Sequence, residues 1–281
     1  MASRAARPVY AAPMRIFQVD AFTDAAFAGN PAAVCLLDRP ADARWMQQVA
    51  AEMNLAETAF VAPRPGGYLL RWFTPVVEVV LCGHATLASA HVLYETGLAA
   101  AGQPIRFDSA SGPLAARQDP TGIVLDFPAT PASQEEPPSG MLDALGVTAP
   151  VWTGRAPEDF MVVVATEDEV LGLQPDPARL MNATIRGTIV TAPAARPGAD
   201  FVSRFFAPAV GIPEDPVTGS AHCTLAPYWF GRMHRTELTG YQASPRGGTV
   251  RVRAAADRIL LAGHAVTVLS GELAAAALPP A

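Results

Sequence analysis

Apolar and polar side chains alternate through Arg15-Ile-Phe-Gln-Val-Asp-Ala-Phe22, the period of a strand with one buried face. Further alternating or short β-rich runs predict strands out of the Gly29-Asn30-Pro31 turn to Leu37, and at 58–61, 68–74, 76–81, 105–108, 114–117 and 123–127. Others follow at 160–165, 187–192, 201–206, 241–253, 258–261 and 265–269. Helical spacing is rarer. Trp45, Met46, Val49 and Met53 share one face of a helix over 43–53 that Asp42 can cap. A small-residue helix runs over 84–96 to Gly97, and shorter ones cover 141–145 and 167–173. A last helix spans 221–230, where Pro227 is expected to kink or end it. Helices interleaved with more numerous strands predict a mixed α/β fold with two sheet-rich lobes. The Pro-, Ser- and Glu-rich segment near the middle reads as a linker. The expected organisation is a loose extension over 1–13, a lobe over 14–128, a linker over 129–140 and a lobe over 141–281. The final strand of that second lobe is free to pack on the first.

The chain is organised around Phe205-Phe-Ala-Pro-Ala-Val-Gly-Ile-Pro-Glu-Asp-Pro-Val-Thr-Gly-Ser-Ala-His222. Pro213 and Pro216 stiffen the backbone on either side of Glu214 and Asp215. Gly219 permits close approach to a helix start, whose unpaired N–H groups suit a small anion such as a substrate carboxylate. An earlier stretch reads as a second copy. Phe73-Thr-Pro75 matches Phe206-Ala-Pro208, and Gly83-His84-Ala85 matches Gly219-Ser220-Ala221. Two related halves are therefore expected, each presenting a helix N-terminus to a shared cleft.

Composition narrows the function classes. The 281 residues are 50% hydrophobic and 16% charged, which predicts a folded globular chain with a large core. A net charge of −6 without a basic stripe gives no support for nucleic-acid binding. No apolar run reaches the roughly 18–20 residues of a membrane helix, and residues 1–13 lack the apolar core of a secretory signal. Cys35, Cys82 and Cys223 make neither a disulfide framework nor a zinc signature, so a reducing cytoplasm is expected. No metal-ligand spacing and no glycine-rich phosphate loop is present.

Glu57 lies where a helix hands over to a strand, among apolar neighbours, where a raised proton affinity suits general acid/base work. The plain alternative is a capping or solvent-facing Glu. Asp215 can orient an imidazole or simply cap its turn. His84, at the start of the first central helix, faces Ser220 in the repeat and can touch a ligand or serve structure alone. Cys82 beside a helix N-terminus is either an activated thiol or a small buried hydrophobe. His91, His222 and His264 read as structural.

Taken as an ordered set, these stretches resemble the PhzF family of phenazine-biosynthesis-type isomerases, which share the fold of diaminopimelate epimerase. The matching segments include Phe17-Gln-Val-Asp-Ala-Phe22, Phe27-Ala-Gly-Asn-Pro-Ala-Ala-Val34, Asn54-Leu-Ala-Glu-Thr-Ala-Phe60 and Trp72-Phe-Thr-Pro75. Gly83-His-Ala-Thr86, Glu214-Asp-Pro-Val-Thr-Gly-Ser-Ala-His222 and Tyr241-Gln-Ala-Ser-Pro-Arg-Gly-Gly248 continue the order across nearly the whole chain. The resemblance implies two pseudo-symmetric lobes, each a curved sheet or barrel around a central helix, a homodimer, and no cofactor. It implies Glu57 as catalytic acid/base with His84 and Asp215, and Asn30, Gly83, Gly219 and Ser220 as substrate contacts. The reaction it implies is a proton shift along a small unsaturated or cyclic carboxylic acid. Two departures stand out. Pro216-Val217 supplies no second thiol for a two-cysteine epimerase, and Val79-Val80-Leu81 replaces an acidic residue expected near the Gly-His pair. The alternatives are an amino-acid or hydroxy-acid racemase, epimerase or lyase, and a ligand-binding protein without turnover.

Overall fold

The computed structural model describes residues 14–183 and 186–279; the expected extension over 1–13 lies outside them. The first half carries β1 (Arg15–Ala21), β2 (Asn30–Leu36), α1 (Ala43–Met53), β3 (Glu57–Arg64), β4 (Gly67–Phe73), β5 (Glu78–Val79) and α2 (Gly83–Glu95). It ends with β6 (Ile105–Ser109), β7 (Gly112–Asp119) and β8 (Gly122–Pro128). After β9 (Ser133–Gln134) and α3 (Met141–Leu145), the second half runs through β10 (Trp152–Arg155), β11 (Asp159–Val163), α4 (Glu167–Leu171), α5 (Pro177–Leu180), β12 (Gly187–Pro193) and β13 (Phe201–Phe206). It closes with α6 (Gly219–Met233), β14 (Glu237–Gln242), β15 (Gly248–Ala255), β16 (Arg258–Gly263) and β17 (Ala265–Glu272).

Strand pairing repeats between the halves. β1–β2, β3–β4, β6–β7 and β7–β8 are antiparallel while β2–β3 and β4–β6 are parallel. The same order of antiparallel and parallel pairs recurs through β10, β11, β12, β13, β14, β15 and β16. The register fixes the correspondence: Thr58 pairs with Phe73, and Thr188 pairs with Phe206. The two Phe-x-Pro copies thus end equivalent strands. Each half also lends a strand to the other's sheet, because β17 pairs with β1 and β9 pairs with β10. β8 pairs with β16, and the strands form one continuous mixed sheet.

Both sheet faces are covered. Phe60 and Ala62 of β3 face α1 through Trp45, Met46 and Val49, whereas Ala59 and Val61 face the central core with α2. Burial on both faces explains why β3 is a continuous apolar run rather than an alternating one. In the second half Val202 and Phe206 pack under α3, α4 and α5, while Phe201 and Phe205 face the core with α6. α2 is buried from His84 to Ala90 and at Val92 and Leu93, and it reaches solvent towards its C-terminal end, where Glu95 is exposed. Its Thr86 and Ser89 hydroxyls bond back to the Cys82 and Ala85 carbonyls, so they enter the core satisfied.

Three expectations change. α6 starts at Gly219 and continues through Pro227 to Met233. The proline removes the N–H that would bind the Cys223 carbonyl, and the Thr130 amide fills that vacancy at 3.1 Å. Second, the apolar run over 76–81 pairs only at Glu78 and Val79; Val76, Val77 and Val80 are exposed. Third, residues 241–253 form two strands, because Gln242 ends β14 and a Ser244–Gly247 turn precedes β15. The 129–140 segment makes backbone hydrogen bonds through Thr130 and β9. β10 and α5 carry too short a pattern to be read from sequence. No helix among the described residues is long and apolar enough to cross a membrane.

Two glycines separate packing from propensity. A Cβ on Gly248 would lie 2.4 Å from Val217 Cγ2 and 2.9 Å from the Phe22 carbonyl oxygen, in the seam between halves. Gly231, inside α6, has open space around it. Gly248→Ala should therefore cost about 2 kcal/mol and lower the melting midpoint by roughly 5 °C. Gly231→Ala should add about 0.5–1 kcal/mol by restricting the unfolded chain. Calorimetry on both variants checks the pair, and equal effects would contradict the packing described.

Candidate functional site

The N-termini of α2 and α6 meet at two glycines. A Cβ on Gly83 would stand 3.4 Å from Gly219 Cα, and one on Gly219 would stand 3.5 Å from Gly83 Cα. Neither helix has a side-chain cap. Thr218, the residue before α6, spends its hydroxyl on Asp215 Oδ2 instead. The first turns therefore offer backbone N–H donors to the space around this contact.

Asn30, Glu57, His84 and Asp215 are all buried there, three from the first half and one from the second. Asn30 Nδ2 donates to Asp215 Oδ1 at 2.8 Å and to the Val217 carbonyl at 2.9 Å. Both amide hydrogens are then spent, so His84 Nδ1, 3.2 Å from that nitrogen, is left to Cys82 Sγ at 3.5 Å. On the other side of the ring, His84 Nε2 lies 3.1 Å from Glu57 Oε2 without a well-aligned hydrogen bond. Asn30 Oδ1, Glu57 Oε2 and His84 Nε2 are buried polar atoms without a hydrogen-bond partner. Such atoms are costly in a packed interior, and their convergence marks a place for a polar ligand.

Burial alone would lower the His84 pKa, but Cys82 and Glu57 outweigh it and hold the imidazole well above its ordinary value. Burial, helped by Glu57, raises the Cys82 thiol, so the helix end does not activate it. Burial pushes Asp215 up to about 6, with His84 opposing and Glu57 adding to the rise. His222 is dominated by burial and falls to about 4; its Nδ1 donates to the Thr218 carbonyl at 2.8 Å. It packs beside Phe201, and His91 meets Thr267 Oγ1 at 3.1 Å, so both serve structure.

Glu57, Cys82 and His84 bring three potential metal ligands within 4.8 Å of one another. Cys82 Sγ lies 3.5 Å from His84 Nδ1, and Glu57 Oε2 lies 3.1 Å from His84 Nε2.

Several supporting residues were not anticipated. Gln242 Oε1 accepts from the Thr218 amide at 2.8 Å, and its Nε2 donates to the Asp215 carbonyl at 2.7 Å. Glu214 does not reach the cluster; Arg204 holds it with bonds of 2.7 and 2.9 Å. Arg246 donates to the Gly29 carbonyl at 2.8 Å and to Asp20 Oδ1 at 2.7 Å, fixing from the second half the turn that delivers Asn30. Ser220 accepts from Arg186 Nη1 at 3.1 Å. The Tyr241–Gly248 motif held the signal for Gln242 and Arg246; Arg186 had none. Two surface cavities, of about 340 and 530 Å³, lie elsewhere and include none of Glu57, His84 or Asp215.

The family of phenazine biosynthesis-like proteins, PhzC-PhzF, matches residues 19–271. A protein of Halalkalibacterium halodurans named an uncharacterized isomerase is 50% identical over 259 residues, covering 92% of this chain and 97% of its own. A crystal structure of a PhzF family protein from Enterococcus faecalis is 39% identical, with a TM-score of 0.89 over 94% of this chain and 100% of that one. A predicted epimerase from Pseudomonas aeruginosa, 19% identical, shares the fold with a TM-score of 0.72 over 92% of this chain and 99% of its own. With the family model spanning nearly the whole sequence and a solved member matching 94% of the chain, the chain belongs to the PhzC-PhzF family of phenazine biosynthesis-like proteins.

Proposed function

We propose that this chain is a cofactor-independent isomerase that moves a proton between carbon positions of a small unsaturated or cyclic carboxylic acid. The observation that carries this reading is Glu57: a buried carboxylate whose Oε2 lies 3.1 Å from His84 Nε2, where the halves meet. Glu57 takes the proton from one carbon and returns it to another. His84, whose proton affinity Cys82 and Glu57 raise, offers an N–H donor beside the negative charge that develops on the substrate. Asp215 holds Asn30 and the start of α6 in register.

The repeat favours a one-face transfer over inversion. By register, the counterpart of Glu57 in the second half is Gly187, and a Cβ there would lie 2.4 Å from the Phe205 ring. Inversion needs proton-transfer groups on both faces of a carbon. The second half offers no acid/base at the equivalent place, and the Cys82 thiol is held protonated. The relatives' isomerase names agree with the reaction class.

The test is deuterium uptake from D2O into a panel of small unsaturated carboxylic acids, read by mass spectrometry. Glu57→Gln should lower exchange by about 10³-fold, the scale of general acid/base catalysis, with its melting midpoint unchanged. Full exchange by that variant would reject the assignment.

Asp215 gives a second prediction, with a defined sign. Its folded-state value of about 6 exceeds the roughly 3.9 of an unfolded chain, so the folded protein holds the proton more tightly. The stabilisation is complete below about pH 4 and is lost as pH rises through about 6, to a total of about 3 kcal/mol. Urea unfolding between about pH 4 and pH 7 should show wild type losing that much relative to Asp215→Asn. Parallel curves would contradict the burial effect.

A further inference from the structure

We propose that Arg186 is a positioning residue that fixes the Ser220 hydroxyl as a donor to the substrate's carboxylate, making the first turn of α6 the acid-holding corner of the site. This rests on the reading that the substrate is a carboxylic acid bound where the two halves meet.

Arg186 immediately precedes β12, and Asp159 opens the neighbouring β11. The guanidinium meets the buried Asp159 carboxylate side-on: Nε donates to Oδ1 at 2.8 Å and Nη2 to Oδ2. It also lies over the Phe205 ring, 5.5 Å from its centre, with Glu158 Oε2 at 3.4 Å. These contacts set the plane of the group and leave Nη1 aimed at Ser220 Oγ, 3.1 Å away. A guanidinium can only donate, so Ser220 Oγ must accept there. Its own hydrogen is then directed elsewhere, and the side chain is half-exposed at the helix start.

The surroundings say where that hydrogen is wanted. The first paired amide of α6 is His222, bound to the Thr218 carbonyl, and the Thr218 amide is taken by Gln242. Gly219, Ser220 and Ala221 thus precede the helix's own hydrogen bonding. On the α2 side of the Gly83–Gly219 contact, His84 Nε2 stands 3.1 Å from Glu57 Oε2, and the buried Asn30 Oδ1 has no hydrogen-bond partner. The repeat pairs His84 with Ser220. One helix end therefore carries the proton-transfer pair and the other a fixed hydroxyl donor. Because Asp159 and Glu158 neutralise Arg186, the carboxylate is held by oriented dipoles rather than by a free positive charge.

The experiment uses benzoate and benzamide, an acid and its near-isosteric amide, titrated by ligand-observed NMR against wild type, Arg186→Ala, Arg186→Lys, Ser220→Ala and the Arg186→Ala/Ser220→Ala double variant. Wild type should prefer benzoate. Each alanine variant should reduce that preference about tenfold, the double variant no further, and the lysine variant should fall between, with benzamide binding nearly constant. Should Arg186→Ala fail to fold by circular dichroism, the lysine and Ser220→Ala variants decide by the same ratio. A wild type without the preference, an Arg186 variant that keeps it, or additive losses in the double variant would overturn the proposal. Glu57→Gln should keep the preference while losing deuterium exchange, so failure of the proton-transfer reading and failure of this one give different results.

Discussion

Everything at the site depends on two helix ends meeting backbone to backbone. Helix N-termini repel, since each carries partial positive charge, and in ordinary packing side chains hold them apart. Here Gly83 and Gly219 remove the side chains, so the repulsion is met at close range inside the protein. Negative groups beside it ease that repulsion. Glu57 and Asp215 supply them, and each is held by elements outside the two helices. Glu57 opens β3, and Asp215 sits on a loop laced to Gln242. The buried carboxylates that the chemistry uses thus also suit the helix geometry.

The cost of burying those groups is spread across the seam. Asn30 crosses between the halves to Asp215 and Val217, and the turn that carries it is clamped by Arg246 from the other half. Gly29 N–H to the Gly247 carbonyl at 2.7 Å and Thr249 N–H to the Phe22 carbonyl at 2.9 Å stitch the same seam. The exchanged strands β17 and β9 then tie each half to the other's sheet. Few parts of this seam can move independently, which suits groups that must keep hydrogen-bond geometry while a proton moves.

Much of this was legible in the sequence because it is written in local signals. Asp42 caps α1 through Oδ1, Gly97 follows α2 at φ 71°, and Gly146 ends α3, each as its residue type demands. The Phe-x-Pro and Gly-polar-Ala copies marked the repeat because equivalent strands must end, and equivalent helices begin, at matching places. What was not legible depends on distant partners. Pro227 reads as a helix end until Thr130, 97 positions away in sequence, supplies the missing donor. Arg186 lies outside every motif, and its meaning comes from Asp159 and Ser220. The acidic pair Glu214-Asp215 reads as one feature, yet Arg204 turns Glu214 away and Asp215 alone enters the cluster.

The same duplication also explains how an almost symmetrical frame yields a one-sided reagent. Strand register makes Glu57 and Gly187 equivalent, and the matching helix starts make His84 and Ser220 equivalent. If both halves carried acid and imidazole, two carboxylates would face one another across a few ångströms of protein interior, and one would take up a proton. Glycine in place of a second acid, with the Phe205 ring filling the space, leaves Asp215 as the carboxylate whose pKa Glu57 helps to raise. The freed half keeps its helix end and exchanges proton transfer for hydrogen-bond donation through Ser220. A substrate lying between them meets a base on one side and donors on the other, so its orientation follows from the difference between the halves.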